Sequence, residues 1–370
     1  MKKIGILTFH ASHNYGSMLQ AYALQTYLMQ IGHEVQIINL RPLLQKKMYA
    51  NPSVFVDFSI KKLAKAILYP KLYFNNVKKW NIFEDFLKTY LRITDKEYST
   101  YEEIQKDLYD FGFDVLISGG DQIWNQKCKD FELSYFLPFD LDGVKKISYA
   151  PSMGKRALEM KESPYVDNII NYISHYDVLS VREPDSAEVL SSLLNRTVDV
   201  VADPVFLLGI SEYDSLIQEK PIIDGKYLFY YTPSHLAAPK AFNAAKELAK
   251  KKGLKFVSSN VLRNQTGIIQ VNAAGPIQFL NLLKHAEFVC GQSFHLAVFS
   301  LLYHKEFAVL GGDIDPRMVN LLNNCHIPNR GINVDSPVFS KIEELNYKKI
   351  DGYFDVLREK SVSFLRNSLA

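Results

Sequence analysis

One unit recurs along this chain: a short apolar strand, a polar turn, a helix, and a second apolar strand. The first copy has an apolar strand at 4–7, a polar turn through His10, Asn14 and Gly16, and a helix in which Ala21, Leu24, Leu28 and Ile31 recur at helical spacing. Gly32 then ends the helix as a C-cap would, and a second strand runs over 35–38. Two strands joined through a helix lie parallel in one sheet. The same order returns at 115–117 before Gly119, at 147–150 before Pro151, at 178–181 before Arg182 and at 198–201 before Asp203, with a helix over 186–194. A second series starts at 227–231 and continues with a helix at 239–252, a strand at 255–257, a helix at 277–285, a strand at 288–290, a helix at 294–303 and a strand at 307–310. The expected fold class is therefore α/β, with two doubly wound, Rossmann-like domains facing a cleft, over 1–210 and 225–340. The polar stretch 211–224 reads as the linker, and 341–370 holds a closing helix from about 353 to 369.

Length and composition support that reading. A chain of 370 residues with 47% hydrophobic and 22% charged residues can bury a large core, which argues against disorder. A net charge of +3 gives no whole-molecule signal for nucleic acid, so none is expected as a partner. Cys128, Cys290 and Cys325 are far apart and form no C-x-x-C pair, which fits a reducing compartment. The apolar start at 4–7 is too short for a secretory signal, and the greasiest stretch, 288–302, is broken by Gln292, Ser293 and His295. A soluble, cytoplasmic protein is expected.

One segment departs from the alternation, an excursion at about 43–92. Between residues 43 and 80 stand eight lysines and one acid, Asp57, so the near-neutral total conceals a basic segment and an acidic remainder. Tyr49, Phe55, Phe58, Tyr69, Tyr73, Phe74 and Trp80 lie among those lysines. The plain reading is a helical excursion with a solvated lysine face. The sharper one is a contact surface for anionic lipid, a phosphate-bearing carrier or a partner, which would hold the protein at the inner face of a membrane.

In open parallel sheets ligands bind beyond the carboxyl ends of the strands, so the turns that follow the strands are the places to look for chemistry. In the first turn Asn14, Gly16 and Ser17 precede a helix whose amides can hold an anion. In the second, Gly119 and Gly120 would let backbone approach a ligand, and Asp121, Gln122 and Asn125 offer a base and hydrogen bonds to hydroxyls beside Trp124. A helix cap is the competing role for Asp121. In the third turn Arg182 presents a guanidinium suited to carboxylate or phosphate, with a structural ion pair to Glu183 or Asp185 as its competitor. The fourth, Ala202-Asp203-Pro204, reads as the ordering of the domain exit. In the fifth, Ser293 can cap a helix whose first turn carries His295, placed to give or take a proton beside a bound anion. His33, His175, His285 and His326 have no comparable placement, and no carboxylate or histidine spacing argues for a metal.

Taken in order, Asn14-Tyr15-Gly16-Ser17 with Leu19-Gln20-Ala21-Tyr22-Ala23-Leu24, Gly119 to Asn125, Ile147 to Gly154, Ser180-Val181-Arg182-Glu183, Asp203 to Leu207 and Ser293-Phe294-His295 resemble the polysaccharide pyruvyl transferase family. The resemblance covers about residues 2 to 335. It implies two Rossmann-like domains in the manner of GT-B glycosyltransferases. It also implies transfer of a pyruvyl group from phosphoenolpyruvate to a sugar of a polysaccharide or its precursor, forming a cyclic ketal and releasing phosphate, with no cofactor beyond that donor. The acceptor sugar could be linked to a lipid carrier, as in the making of exopolysaccharide or capsule for the cell envelope. On this reading Arg182 and the helix start at Ser293 hold the anionic donor, His295 protonates the enol carbon, and Asp121 takes protons from the sugar hydroxyls. Family members often carry Arg-Leu-His where this chain has Ser293-Phe294-His295. Arg263, Arg317, Arg330 and Lys155 are the cations the sequence offers in place of that arginine.

Two further readings stay open. Architecture alone also suits a GT-B glycosyltransferase using a nucleotide sugar. The arginine missing at Ser293 suits a non-catalytic anion-binding relative.

Overall fold

The computed structural model describes residues 1–154, 163–217, 220–233, 239–260, 266–311, 315–340 and 342–370. The N-terminal sheet holds β1 (Lys3–Leu7), β2 (Glu34–Ile37), β3 (Val115–Gly119) and β4 (Lys145–Tyr149) in the order β2-β1-β3-β4, each pair parallel. A bridge from Ile147 to Val178 continues it to the parallel pair β5 (Ser180–Val181) and β6 (Asp199–Val200). The C-terminal sheet, also parallel throughout, holds β7 (Tyr227–Tyr231), β8 (Lys255–Ser258), β9 (Ile269–Gln270), β10 (Phe288–Gly291), β11 (Glu306–Leu310) and β12 (Gly331–Ile332) in the order β12-β11-β10-β7-β8-β9. In both sheets the strand order reverses beside the first strand, which opens a crevice at the carboxyl ends.

Helix α1 (Tyr15–Gln30) explains how the two halves meet. Tyr15, Met18, Leu19, Ala21, Ala23, Leu24, Tyr27 and Leu28 are all buried, so the helix is apolar around most of its circumference and must be covered on several sides. Its outer cover comes from the second domain, through α10 (Pro276–Lys284) and α11 (Phe294–Leu302). Tyr15 shows this directly, lying 4.8 Å from the Phe279 ring and 4.7 Å from that of Tyr231. One continuous apolar core therefore runs from β1 through α1 to β10, and part of the chain's aromatic surplus is spent at this junction.

The final helix, α13 (Tyr347–Leu369), begins on the second domain and returns to the first. Phe354 stacks on Phe206 at 4.2 Å, and Ser361 Oγ accepts the amide of Ala202 at 2.8 Å. It starts earlier than the periodicity from 353 suggested. The stretch 211–224 is not all linker, because its beginning belongs to the short helix α8 (Ile210–Asp214), where fully buried Tyr213 donates to Val205 O at 2.8 Å. The excursion after β2 consists of α2 (Leu43–Met48), α3 (Ile60–Leu68) and α4 (Pro70–Tyr90). The remaining helices are α5 (Tyr101–Phe111), α6 (Val166–Ser174), α7 (Pro184–Leu194), α9 (Pro239–Lys251) and α12 (Pro316–Asn324). Among the described residues no helix is long and apolar enough to cross a membrane.

Candidate active site

The carboxyl ends of both sheets converge on Asp203. This residue follows β6 and caps a 3-10 turn at Pro204–Leu207, its Oδ1 accepting from the amide of Val205 at 2.9 Å. Its other oxygen, Oδ2, lies 2.6 Å from Arg182 Nη2 and 3.4 Å from His295 Nε2. Both approaches are close but oblique, ion-pair contacts rather than directed hydrogen bonds. The sequence reading gave Asp203 only the domain exit; the structure makes it the link between the two domains' charged turns. Burial is the largest influence on its carboxyl and acts to raise the pKa, but the charges of Arg182 and His295 outweigh it and hold Asp203 at about 2. The proposed competitor for Arg182, an ion pair with Glu183 or Asp185, is thus replaced by Asp203. Glu183 is itself buried, and that burial raises its carboxyl pKa.

His295 is held on its other side by α1. A Cβ at Gly16 would stand 2.0 Å from His295 Nδ1, so the helix can reach the imidazole only because residue 16 has no side chain. Asn14 and Ser293 cap their helices, Asn14 Oδ1 accepting from Gly16 N at 2.9 Å and Ser293 Oγ from Leu296 N at 3.4 Å. Those two amides are therefore already engaged and are not open to an anion as the sequence suggested. Ser17, one residue further, donates from its hydroxyl to Asp121 Oδ2. Asp121 is buried, in the left-handed region at φ 44°. It is not a helix cap.

The glycine turn serves a different purpose from the one expected. A Cβ at Gly119 would lie 2.4 Å from Tyr149 O, and one at Gly120 would lie 1.7 Å from Gln20 Oε1, with Gly120 also at φ +71°. Gly119 lets the end of β3 lie close against β4 and Gly120 lets the turn meet α1; the surface they approach is protein. Gln122 and Asn125 bond to each other at 2.8 Å, and Trp124 is a core residue stacked 5.1 Å from Phe136. The hydroxyl-binding surface expected beside Trp124 is thus partly consumed by internal contacts.

A second cation meets Arg182. The pocket beside Asp203 is lined by Arg182, Phe294, Arg317 and Lys360, among others. Phe294 carries both guanidinium groups against its ring, Arg182 at 5.2 Å and Arg317 at 5.8 Å. Arg317 is aimed by a two-point contact with Asp315, at 3.2 and 2.9 Å. Within Arg182, Nε and Nη1 are buried without a hydrogen-bond partner. Of the other cations considered, Arg330 is fully buried elsewhere, 2.7 Å from Glu306, while Arg263 and Lys155 lie outside the described residues.

A polar cluster that sequence reasoning missed extends the site on the N-terminal side. Ser12 Oγ donates to Asp130 at 3.0 Å, and Gln45 donates to Ser12 at 3.0 Å. Burial, with the nearby charge of Asp121 adding to it, raises the pKa of the Asp130 carboxyl against the opposing pull of its hydrogen bonds. His13 is 3.0 Å from Glu84 and stacked 5.0 Å from Phe83, and Arg41 holds Glu84 at 3.1 and 3.2 Å. Among the described residues no group of His, Cys, Asp and Glu is arranged to hold a metal ion.

The sequence pattern of the family described as polysaccharide pyruvyl transferase matches residues 14–314. The chain belongs to the polysaccharide pyruvyl transferase family. It is accordingly a transferase. The match spans every turn converging on Asp203, from Asn14 to His295. No curated protein matched the chain in sequence. In structure, this pyruvyl transferase family member is similar to UDP-GlcNAc 2-epimerase from Methanocaldococcus jannaschii, at 12% identity and TM-score 0.55, with 97% of this chain and 93% of that one covered. It is also similar to UDP-GlcNAc 2-epimerase from Neisseria meningitidis bound to UDP-GlcNAc, at 13% identity and TM-score 0.52, with 100% and 94% covered. At that identity the likeness concerns the fold, two Rossmann-like domains of the GT-B kind.

Proposed function

We propose that the protein transfers the pyruvyl group of phosphoenolpyruvate to two hydroxyls of one sugar, giving a cyclic ketal and inorganic phosphate. The observation that carries this reading is the pairing of Arg182 and Arg317 on one aromatic ring beside Asp203, with Arg182 Nε and Nη1 buried and unpartnered. Such a wall of two guanidinium groups, with donor atoms left over after the pairing to Asp203, suits a small donor bearing both carboxylate and phosphate. Arg317 takes the part of the arginine missing at Ser293, reaching the pocket from α12 instead of α11.

The chemistry then divides between the two turns. His295 gives a proton to the methylene carbon of the donor, and the adjacent carbon becomes oxocarbenium-like. One sugar hydroxyl attacks that carbon and loses its proton to Asp121. Departure of phosphate, which carries away the proton held by Asp121, regenerates the electrophilic carbon, and the second hydroxyl closes the ketal, its proton restoring the one His295 gave up. Asp203 is a positioning residue, holding imidazole and guanidinium in register from opposite domains.

Calorimetric titration with phosphoenolpyruvate tests the donor assignment. Binding should weaken about tenfold or more in Arg182→Lys, which keeps the charge but loses the planar fork. Unchanged affinity in that variant, or tighter binding of a nucleotide sugar than of phosphoenolpyruvate, would count against the reading.

A further inference from the structure

Helix α3 is built inside out. Ile60, Leu63, Ala64, Ile67 and Leu68 fall on one stripe at helical spacing, with Lys61, Lys62 and Lys65 on the rest of the circumference. A surface helix of a water-soluble domain turns such a stripe toward the core. Here no residue of α3 is buried, and the stripe faces outward, with Ile60 79% exposed and Ile67 and Leu68 69% each. Away from the stripe, Lys62 holds the helix to the preceding loop, its Nζ reaching Asn51 O at 2.8 Å and Asp57 Oδ2 at 3.1 Å. The loop before α3 adds Phe55, 92% exposed, and Phe58, 69% exposed. Exposed Lys61, Lys65 and Lys71 flank the apolar surface.

We propose that this face docks on an anionic lipid bilayer, with the stripe of α3 and the Phe55–Phe58 loop entering the headgroup and acyl boundary and the flanking lysines contacting the headgroups. The pattern is that of an interfacial helix, apolar inward to the membrane and basic at its margins. Charge argues against a second copy of this chain as the occupant. A two-fold interface would bring the same patch against itself, and the segment 43–80 carries eight lysines and one acid. An anionic surface complements that charge, and both apolar and basic components contribute to binding. The inference is independent of which donor the active site uses.

Co-sedimentation of the full chain with phosphatidylcholine vesicles, with and without phosphatidylglycerol, tests it. The protein should pellet with the anionic vesicles, and high salt should weaken the binding. Lys61→Gln/Lys65→Gln/Lys71→Gln should reduce partitioning by about a hundredfold, from roughly a fivefold effect per lysine near the surface. Phe55→Ser/Phe58→Ser/Ile67→Ser should abolish it while circular dichroism and activity on a soluble acceptor stay unchanged, because these side chains lie outside the core and the active site. No binding to anionic vesicles, binding indifferent to both triple variants, or a dimer that becomes monomeric in the serine variant would overturn the proposal.

Discussion

Gly16 and His295 touch across the domain boundary, so closely that a single methyl group on residue 16 would occupy space 2.0 Å from the imidazole Nδ1. The contact joins the start of α1 to the start of α11, and it fixes where the imidazole can stand relative to Asp203. Gly16→Ala should therefore displace the ring with little change to the fold. Turnover is expected to fall by about a hundredfold or more, the scale of losing a general acid, while thermal unfolding shifts only modestly. Activity close to wild type would separate the contact from catalysis.

Asp203 ties the two domains through charge, and its removal should be felt in stability as well as rate. Asp203→Asn leaves Arg182 buried without its counter-ion, a change that typically costs about 3–5 kcal/mol. The pH dependence has a definite sign. The folded carboxyl is depressed from 3.8 to about 2, so its contribution is complete above the ordinary value and is lost as pH falls toward 2. Urea denaturation should show the gap between wild type and Asp203→Asn narrowing over that acid range. A gap that stays constant would mean the ion pair is not its source.

Arg317 is expected to act on the donor and not on the fold of its own helix. Arg317→Gln should raise KM for phosphoenolpyruvate by about tenfold while leaving kcat within a few-fold, because it removes charge that holds the donor in ground and transition states alike. A fall in kcat with KM unchanged would move Arg317 from binding to chemistry.

Gly291 offers a stability test away from the charges. A Cβ there would lie 1.8 Å from Tyr231 O and 2.6 Å from Leu296, where β10 turns into α11. Gly291→Ala should cost about 1–3 kcal/mol by overpacking, read from chemical denaturation. It should also disturb His295, four residues on.

Much of this architecture was legible because alternation of strand, turn and helix is a local signal. The strand ends carrying Arg182 and Asp203, and the helix start carrying His295, follow from short stretches of sequence. What could not be read was the pairing among them. Asp203 looked like a domain exit because its partners come from a different strand end and from the other domain. The glycines at 119 and 120 looked like a ligand cradle, yet the atoms they admit are Tyr149 O and Gln20 Oε1, contacts that only the tertiary fold brings near. Arg317 was one of several cations without a location, and the ring of Phe294 supplied it. The excursion at about 43–92 was read from its lysines and aromatics, a signal that does not tell which side of α3 faces the protein.

The central claim is most directly tested by measuring inorganic phosphate released from phosphoenolpyruvate by the purified protein across a panel of sugar acceptors, with mass spectrometry of the sugar. Release that depends on the acceptor, accompanied by a pyruvyl ketal on that sugar and reduced by two or more orders of magnitude in His295→Ala, is the predicted result. The contradicting result is no phosphate release with any acceptor while a nucleotide sugar is consumed.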